Sequence, residues 1–280
     1  MPGADAGGPL RFIVVEFLNG GTLADRSKRL MDSNPGGSEP CNRIFAGFPA
    51  RELFVHLRDL SSVLSYLHGA GHERELSQRF IMHRDLKSAN IAFHTPTASA
   101  DKAPKLKLLD LGLARRVRRA PHQTPRTGTY KQTYPLTPKS GTFRYMSPEI
   151  AAGGQYNASA DVYSFAFVAW EMAAGRVPFA GIRPDEFYTQ VLAGTRRPPM
   201  GDKWPPLLRT LLTRCWEKDP KDRPTMKEVR AQHARARART HACILSRESE
   251  EHHGELRIFP SRWQTWPKAW SRRSKPATKR

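Results

Sequence analysis

Cysteine is scarce in this chain. Three residues in 280, Cys41, Cys215 and Cys243, stand far apart and form no C-x-x-C pair. An odd, scattered set excludes a disulfide framework and points to a reducing compartment. Long apolar runs are also missing: no stretch of 18 apolar residues occurs, so no membrane-spanning helix is expected. The start, Met1-Pro2-Gly3-Ala4-Asp5, has no basic stretch leading into an apolar core, and so reads as no secretory signal. The expectation is a cytoplasmic protein. Acidic residues are the third shortage, with 26 Asp and Glu against 46 Lys and Arg, a formal net charge of +20. Such a balance favours phosphate-bearing ligands, nucleic acid, anionic lipid or acidic peptides, and equally fits a solubilising surface with a basic tail.

The most informative stretch is Ile81-Met82-His83-Arg84-Asp85-Leu86-Lys87-Ser88-Ala89-Asn90, followed by Leu109-Asp110-Leu111-Gly112. Asp85 can receive a hydroxyl proton and Lys87 can meet phosphate oxygens. Asn90 and Asp110 are hard oxygen donors of the kind Mg²⁺ prefers. Together these are the parts of a phosphoryl-transfer site. The two strings closely resemble the catalytic loop and metal-binding motif of eukaryotic protein kinases, with Leu111 where the family usually has Phe. An apolar side chain at 111 is expected to pack behind Asp110.

Further strings keep the family's order. Ser140-Gly141-Thr142-Phe143-Arg144-Tyr145-Met146-Ser147-Pro148-Glu149 resembles the end of an activation segment, with Ser-Pro-Glu for Ala-Pro-Glu. Asp161-Val162-Tyr163-Ser164-Phe165 opens a helix that is apolar nearly all round and therefore buried. By resemblance this is the central helix of the large lobe, where Asp161 would hold the catalytic-loop backbone, and Arg223 would form a buried ion pair with Glu149. The wording of these strings looks most like the tyrosine-kinase-like group of Ser/Thr kinases, and Lys87 matches the Ser/Thr-specific pattern.

Elsewhere the residues speak less specifically. Residues 11–18 form an apolar, β-branched run stopped by Asn19-Gly20-Gly21, which fits any buried strand and turn. The resemblance makes it the last strand of the small lobe running into the hinge, with Val15 in the gatekeeper place. It then implies that backbone groups of Glu16 and Leu18 bond the adenine edge and that Ala92 lies under the ring. Residues 23–30 suit a short helix and 32–49 a Gly- and Pro-rich inserted loop. Leu53, Leu57, Leu60, Leu64 and Leu67 recur on one helical face, and Gly69 and Gly71 end that helix. Such a helix suits any helical core, and by resemblance carries the catalytic loop. Residues 72–80 read as a polar insertion. Residues 91–93 and 106–109 read as strands around a polar loop.

Between Asp110 and Glu149 lie eight Lys and Arg against two acids, with many hydroxyls and prolines. This composition predicts a mobile loop. Its hydroxyls over 124–142 would be targets of an upstream kinase, with Arg84 and Arg115, Arg116, Arg118 and Arg119 as phosphate partners, or are simply exposed hydroxyls.

The resemblance implies an α+β, mainly α-helical fold: a protein-kinase large (C-terminal) lobe with a remnant strand of the small lobe and the hinge. Residues 1–10 are a flexible leader, 11–232 the kinase domain and 233–280 a basic tail. The implied activity is transfer of the ATP γ-phosphate to protein Ser/Thr hydroxyls. Asp85 and Lys87 are catalytic; Glu16, Leu18, Ala92, Lys87, Asn90 and Asp110 bind ATP; Asn90 and Asp110 hold Mg²⁺. One departure stands out. No G-x-G-x-x-G loop, strand Lys or partner Glu precedes residue 11, so an N-terminally truncated domain with a roofless, weakly binding ATP pocket is expected. A pseudokinase serving as a protein-binding module, or a second chain supplying the missing lobe, are the alternatives. In the tail, the repeat Ala234-Arg235-Ala236-Arg237-Ala238-Arg239 and Trp263, Trp266 and Trp270 among cations allow stacking on nucleic-acid bases or an anionic-lipid interface. A solvated or docked extension is the commoner fate of such a sequence.

Overall fold

Burial on all sides singles out one helix as the axis of the molecule. Helix α4, Ser159–Ala174, has every residue from Ser159 to Ala173 buried. Its composition is almost wholly apolar, so it is stable only when other elements wrap it. The computed structural model describes residues 16–33, 45–69, 79–95, 104–118 and 133–232. α4 ends where Gly175 turns left-handed (φ 66°) and its N–H bonds the Glu171 carbonyl at 2.8 Å. The loop at 45–48 is pinned there by Gly47 N–H to the Ala173 carbonyl (3.0 Å) and Phe48 N–H to the Met172 carbonyl (2.9 Å). A Cβ on Gly47 would lie 2.0 Å from the Met172 oxygen, so only glycine permits this approach.

Helix α1, Leu23–Ser33, precedes α2, Ala50–Leu67. At the start of α1, Thr22 and Asp25 cap each other's backbone N–H groups at 2.9 and 3.1 Å. The predicted leucine stripe lies inward: Leu53, Leu57, Leu60 and Leu64 are fully buried in the main core. Gly69, with φ 84°, follows α2. α1 is fastened to α2 by a two-pronged bond from Arg26 to Glu52 (2.8 and 3.0 Å), and Arg26 also stacks 4.0 Å over Phe48.

Two antiparallel pairs complete the site-bearing part. β2, Ile91–His94, pairs with β3, Lys105–Leu108, with Ile91 opposite Leu108. β1, Arg79–Met82, pairs with β4, Arg115–Arg118. A short helix α3, Pro148–Ala151, and a brief turn α5, Pro184–Glu186, running into a π-turn at Phe187–Val191, lead to α6, Pro206–Cys215, which packs on α4. Residues 226–232 are helical, opened by a capping box in which Thr225 Oγ1 accepts from Glu228 N–H (3.2 Å) and the Glu228 carboxylate accepts from Thr225 N–H (2.7 Å). Apolar side chains form a main core around α4 and a second cluster of Phe80, Met82, Val117, Met146, Ile150, Ala151, Tyr156, Ala158 and Ala160. The fold is α+β and mainly helical. Among the described residues no helix is long and apolar enough to cross a membrane.

One expectation lies largely outside the described residues and two need correction. The strand over 11–18 falls mostly outside the described residues, Val15 included, and Glu16, Phe17 and Leu18 are not in a strand. The supposed polar insertion over 72–80 ends earlier: Arg79 and Phe80 open β1 because the alternation Arg79-Phe80-Ile81-Met82 puts Phe80 and Met82 inside. The 110–149 segment is not uniformly loose. β4 forms because Val117, alone among arginines, packs opposite Phe80. The hydroxyls at 124, 127 and 129, the leader and the tail lie outside the described residues.

Candidate active site

The catalytic-loop backbone hangs from one buried carboxylate. Asp161, near the start of α4, accepts from the N–H groups of His83 (2.9 Å) and Arg84 (2.8 Å), and His68 Nε2 lies 2.9 Å from the same carboxyl. Burial pushes this acid up, but the His68 and backbone bonds outweigh it and leave it below the ordinary aspartate range. Arg84 itself sits left-handed at φ 69°, a conformation a non-glycine residue keeps only when its surroundings fix it. Here Arg84 Nε donates to the Leu113 carbonyl at 2.7 Å and a terminal nitrogen donates to Tyr156 Oη at 2.9 Å. His83 Nε2 is 3.0 Å from the Leu109 carbonyl, which ties the loop to the end of β3.

Three side chains then close a triangle. Lys87 Nζ donates to Asp85 Oδ2 at 2.7 Å and to Thr142 Oγ1 at 3.0 Å, and Thr142 Oγ1 donates to Asp85 Oδ1 at 2.7 Å. Gly141 makes this possible: its φ of +105° and a virtual Cβ only 2.5 Å from the Arg84 carbonyl exclude any side chain there. Asp85 is only 7% exposed. Burial raises its pKa, yet the bonds from Lys87 and Thr142 win, and the carboxyl lies below the usual aspartate value. It is an ionised acceptor already holding one hydroxyl.

Asn90 completes the loop. Its Nδ2 donates to the Asp85 carbonyl (2.9 Å) and approaches Asp85 Oδ2 (3.3 Å), leaving Oδ1 for a ligand. Leu109 N–H donates to the Asn90 carbonyl at 2.8 Å, so the chain passes Asn90 just before Asp110. Asp110 is exposed and left-handed (φ 58°), and its Oδ1 accepts from Gly112 N–H at 3.0 Å. Leu111 does not pack behind it as expected. It is 56% exposed among the described residues.

The structure therefore brings Asp85, Lys87 and Asn90 together, with Asp110 adjoining through β3. Asn90 and Asp110 fit Mg²⁺, which accepts one or two protein oxygens and keeps water and phosphate for the rest. Among the described residues no three His, Cys, Asp or Glu converge, and a Mg²⁺ site of this kind needs no such cluster. Of the residues expected to meet adenine, Ala92 is buried in β2, and Gly20 N–H to the Phe93 carbonyl (2.9 Å) docks the 16–22 segment beside it. Leu18 is half-buried, while the Glu16 carboxylate faces outward to Lys107 at 3.0 Å.

Two features around the loop escaped the sequence reading. Thr142 stood among exposed hydroxyls, and only the fold shows it on Asp85. The other is the Glu171–Tyr145–Ser88 chain: Tyr145 Oη donates to Glu171 Oε2 at 2.6 Å and lies 3.1 Å from Ser88 Oγ, between Lys87 and Asn90. Burial pushes both Glu171 and Tyr145 up. A signal was available, since an acid deep inside an apolar helix demands a partner.

The remaining pair is as expected: Arg223 makes a two-pronged bond to Glu149 at 2.6 and 2.9 Å, and further donates to the carbonyls of Glu217, Lys218 and Ser159. The chain is 29% identical over 227 residues to the serine/threonine-protein kinase STY17 of Arabidopsis thaliana, covering 81% of this chain and 32% of that protein. It is 30% identical to the Arabidopsis serine/threonine-protein kinase 12 over 78% of this chain and 39% of that one. It is also 30% identical to a mitogen-activated protein kinase kinase kinase of Drosophila melanogaster over 77% of this chain and 17% of that one. The chain thus spans about a third of the length of the first of these relatives. The sequence model of the protein kinase domain matches residues 9–234, the stretch that holds Asp85, Asn90, Asp110, Asp161 and Arg223, and the chain belongs to the protein kinase family.

Proposed function

We propose that this chain is an ATP-dependent protein serine/threonine kinase of the tyrosine-kinase-like group. The observation that carries the reading is the Asp85–Lys87–Thr142 triangle, in which an ionised, buried carboxylate already accepts a hydroxyl at 2.7 Å beside an ammonium. A substrate hydroxyl in Thr142's relation to Asp85 would give up its proton to Asp85 as its oxygen attacks the γ-phosphorus and the bond to the β,γ-bridging oxygen breaks, releasing ADP. Lys87 would offset charge on the transferred group. Asn90 and Asp110 would hold Mg²⁺, which supplies neutralisation of the phosphate oxygens when bound. Positioning and charge stabilisation account for most of the rate in this chemistry. ATP would lie over Ala92, with backbone groups of Glu16 and Leu18 on the adenine edge. Protein substrates and an upstream kinase acting on 124–142 complete the proposed partners.

The test is direct. The full chain with Mg²⁺ and γ-labelled ATP is expected to place label on Ser and Thr of protein acceptors. Chelation of Mg²⁺, or Asp110→Asn, is expected to remove that label. Mg²⁺ with ATP is expected to raise the melting temperature by binding the folded state. Absence of both label and thermal shift at millimolar nucleotide would sink the reading.

A further inference from the structure

Next to the triangle the surface opens into a groove of about 460 Å³, lined by Lys87, Thr142, Phe143, Arg144, Val177, Ile182 and Pro184 among others. Its apolar wall is stiff. Phe143 stacks 4.1 Å from Phe187 and 5.7 Å from Tyr188, and Phe179 (φ 53°) and Gly181 (φ 77°) fold the 176–184 stretch over it. Its charges are of one sign. Among the described residues lining it, Lys87 and Arg144 are cations and none is acidic. Of the carboxylates nearest in sequence, Asp85 is held by Lys87 and Thr142, and Asp185 and Glu186 are paired with Arg183 and Arg196. Lys87 is committed to Asp85 and Thr142, which leaves half-buried Arg144 as the other cation of the lining.

Resting on the kinase reading, the geometry points to an acceptor class: Ser/Thr segments with a bulky apolar residue within two positions of the acceptor and carboxylates, rather than cations, beyond it. An extended segment whose hydroxyl reaches Asp85 advances about 3.4 Å per residue, so it must cross Thr142 and Phe143 and enter the groove at once. An aliphatic or aromatic side chain there leaves water for the Phe143, Val177, Ile182 and Pro184 wall. A carboxylate finds Arg144, whereas an arginine finds only like charge.

The proposal is tested by fluorescence anisotropy on the full chain, using short labelled peptides with Ala in the acceptor place. One peptide carries Leu followed by two Glu, a second Leu followed by two Arg, and a third Gly in place of Leu before the Glu pair. The Glu peptide is expected to bind roughly fivefold tighter than the Arg peptide at low salt, the gap shrinking as salt rises. Loss of the Leu is expected to weaken binding about tenfold. Arg144→Glu is expected to reverse the charge preference, with Arg144→Gln erasing it should the reversal fail to fold. Ile182→Asp, or the milder Ile182→Ser, is expected to erase the Leu preference. Equal or tighter binding of the Arg peptide, no binding by any peptide, or an unchanged order in Arg144→Glu and Arg144→Gln overturns the proposal. Ser versions of the peptides, assayed for transfer, separate the two readings. Preserved binding preference with no transfer defeats the kinase reading alone, and transfer without preference defeats the groove alone.

Discussion

Asp85→Asn is expected to lower phosphoryl transfer by roughly 10²–10⁴-fold while leaving the fold intact. The amide has nearly the same shape, so Thr142 Oγ1 still finds an oxygen where Asp85 Oδ1 stood. What disappears is the group that takes the proton and the ionic partner of Lys87 Nζ, 2.7 Å away. Lys87 is a quarter exposed, so it regains water and the stability cost is small. Transfer rates and thermal melts of the two proteins, side by side, check this. An unfolded variant, or one within a few-fold of the parent rate, contradicts the role. The pH profile gives a second handle. Burial raises the Asp85 pKa but the Lys87 and Thr142 bonds bring it below the ordinary aspartate value. The ionised form is therefore present above that lowered value and is lost only as pH falls through it. The acid limb of the rate should lie below about 3.9, and the chain should show no loss attributable to Asp85 between neutrality and there. A limb centred near neutrality would name a different base.

Arg223→Ala is expected to cost about 3–5 kcal/mol of stability, which for a domain of this size lowers the melting temperature by roughly 6–20 °C. Arg223 is 2% exposed, and its side chain holds Glu149 at 2.6 and 2.9 Å. Truncation leaves that carboxylate half-enclosed without a counter-charge and strands the carbonyls of Glu217, Lys218 and Ser159. The double variant Glu149→Leu with Arg223→Met removes both charges together and is expected to be less destabilised than Arg223→Ala. Denaturant melts decide it: a loss of about 1 kcal/mol or less in Arg223→Ala would class the pair with exposed ion pairs.

Much of this molecule is legible in its sequence, for reasons that differ by element. The α2 stripe and the all-apolar α4 are read directly, because burial of a helix depends on spacing that the sequence displays. Asp85, Lys87 and Asn90 are legible because they lie within six residues and share one loop. Asp161 and Arg223 were placed through the family resemblance, and their partners His83, Arg84 and Glu149 sit 78, 77 and 74 residues away. Thr142 could not be placed, since its meeting with Asp85 spans 57 residues and depends on the left-handed Gly141. β4 was hidden for a different reason. Arg115-Arg116-Val117-Arg118 has the charge of a solvated loop, and only cross-strand packing of Val117 on Phe80 overrides that composition. Leu111 misled in the opposite sense: an apolar letter suggested burial, and among the described residues it is 56% exposed.

The second apolar cluster has a thermal consequence. It is small, shares no residue with the core around α4, and draws on β1, β4 and the 146–160 stretch. The same patch supplies Tyr156 to Arg84 and anchors the chain that leads back to Gly141 and Thr142. A peripheral cluster of this size opens at lower free energy than the whole molecule. On warming, β1, β4 and the Tyr156 support of Arg84 should therefore loosen while α2, α4 and α6 are still packed, so that Phe80, Val117 and Ile150 set the temperature at which the triangle at Asp85 first loses backing.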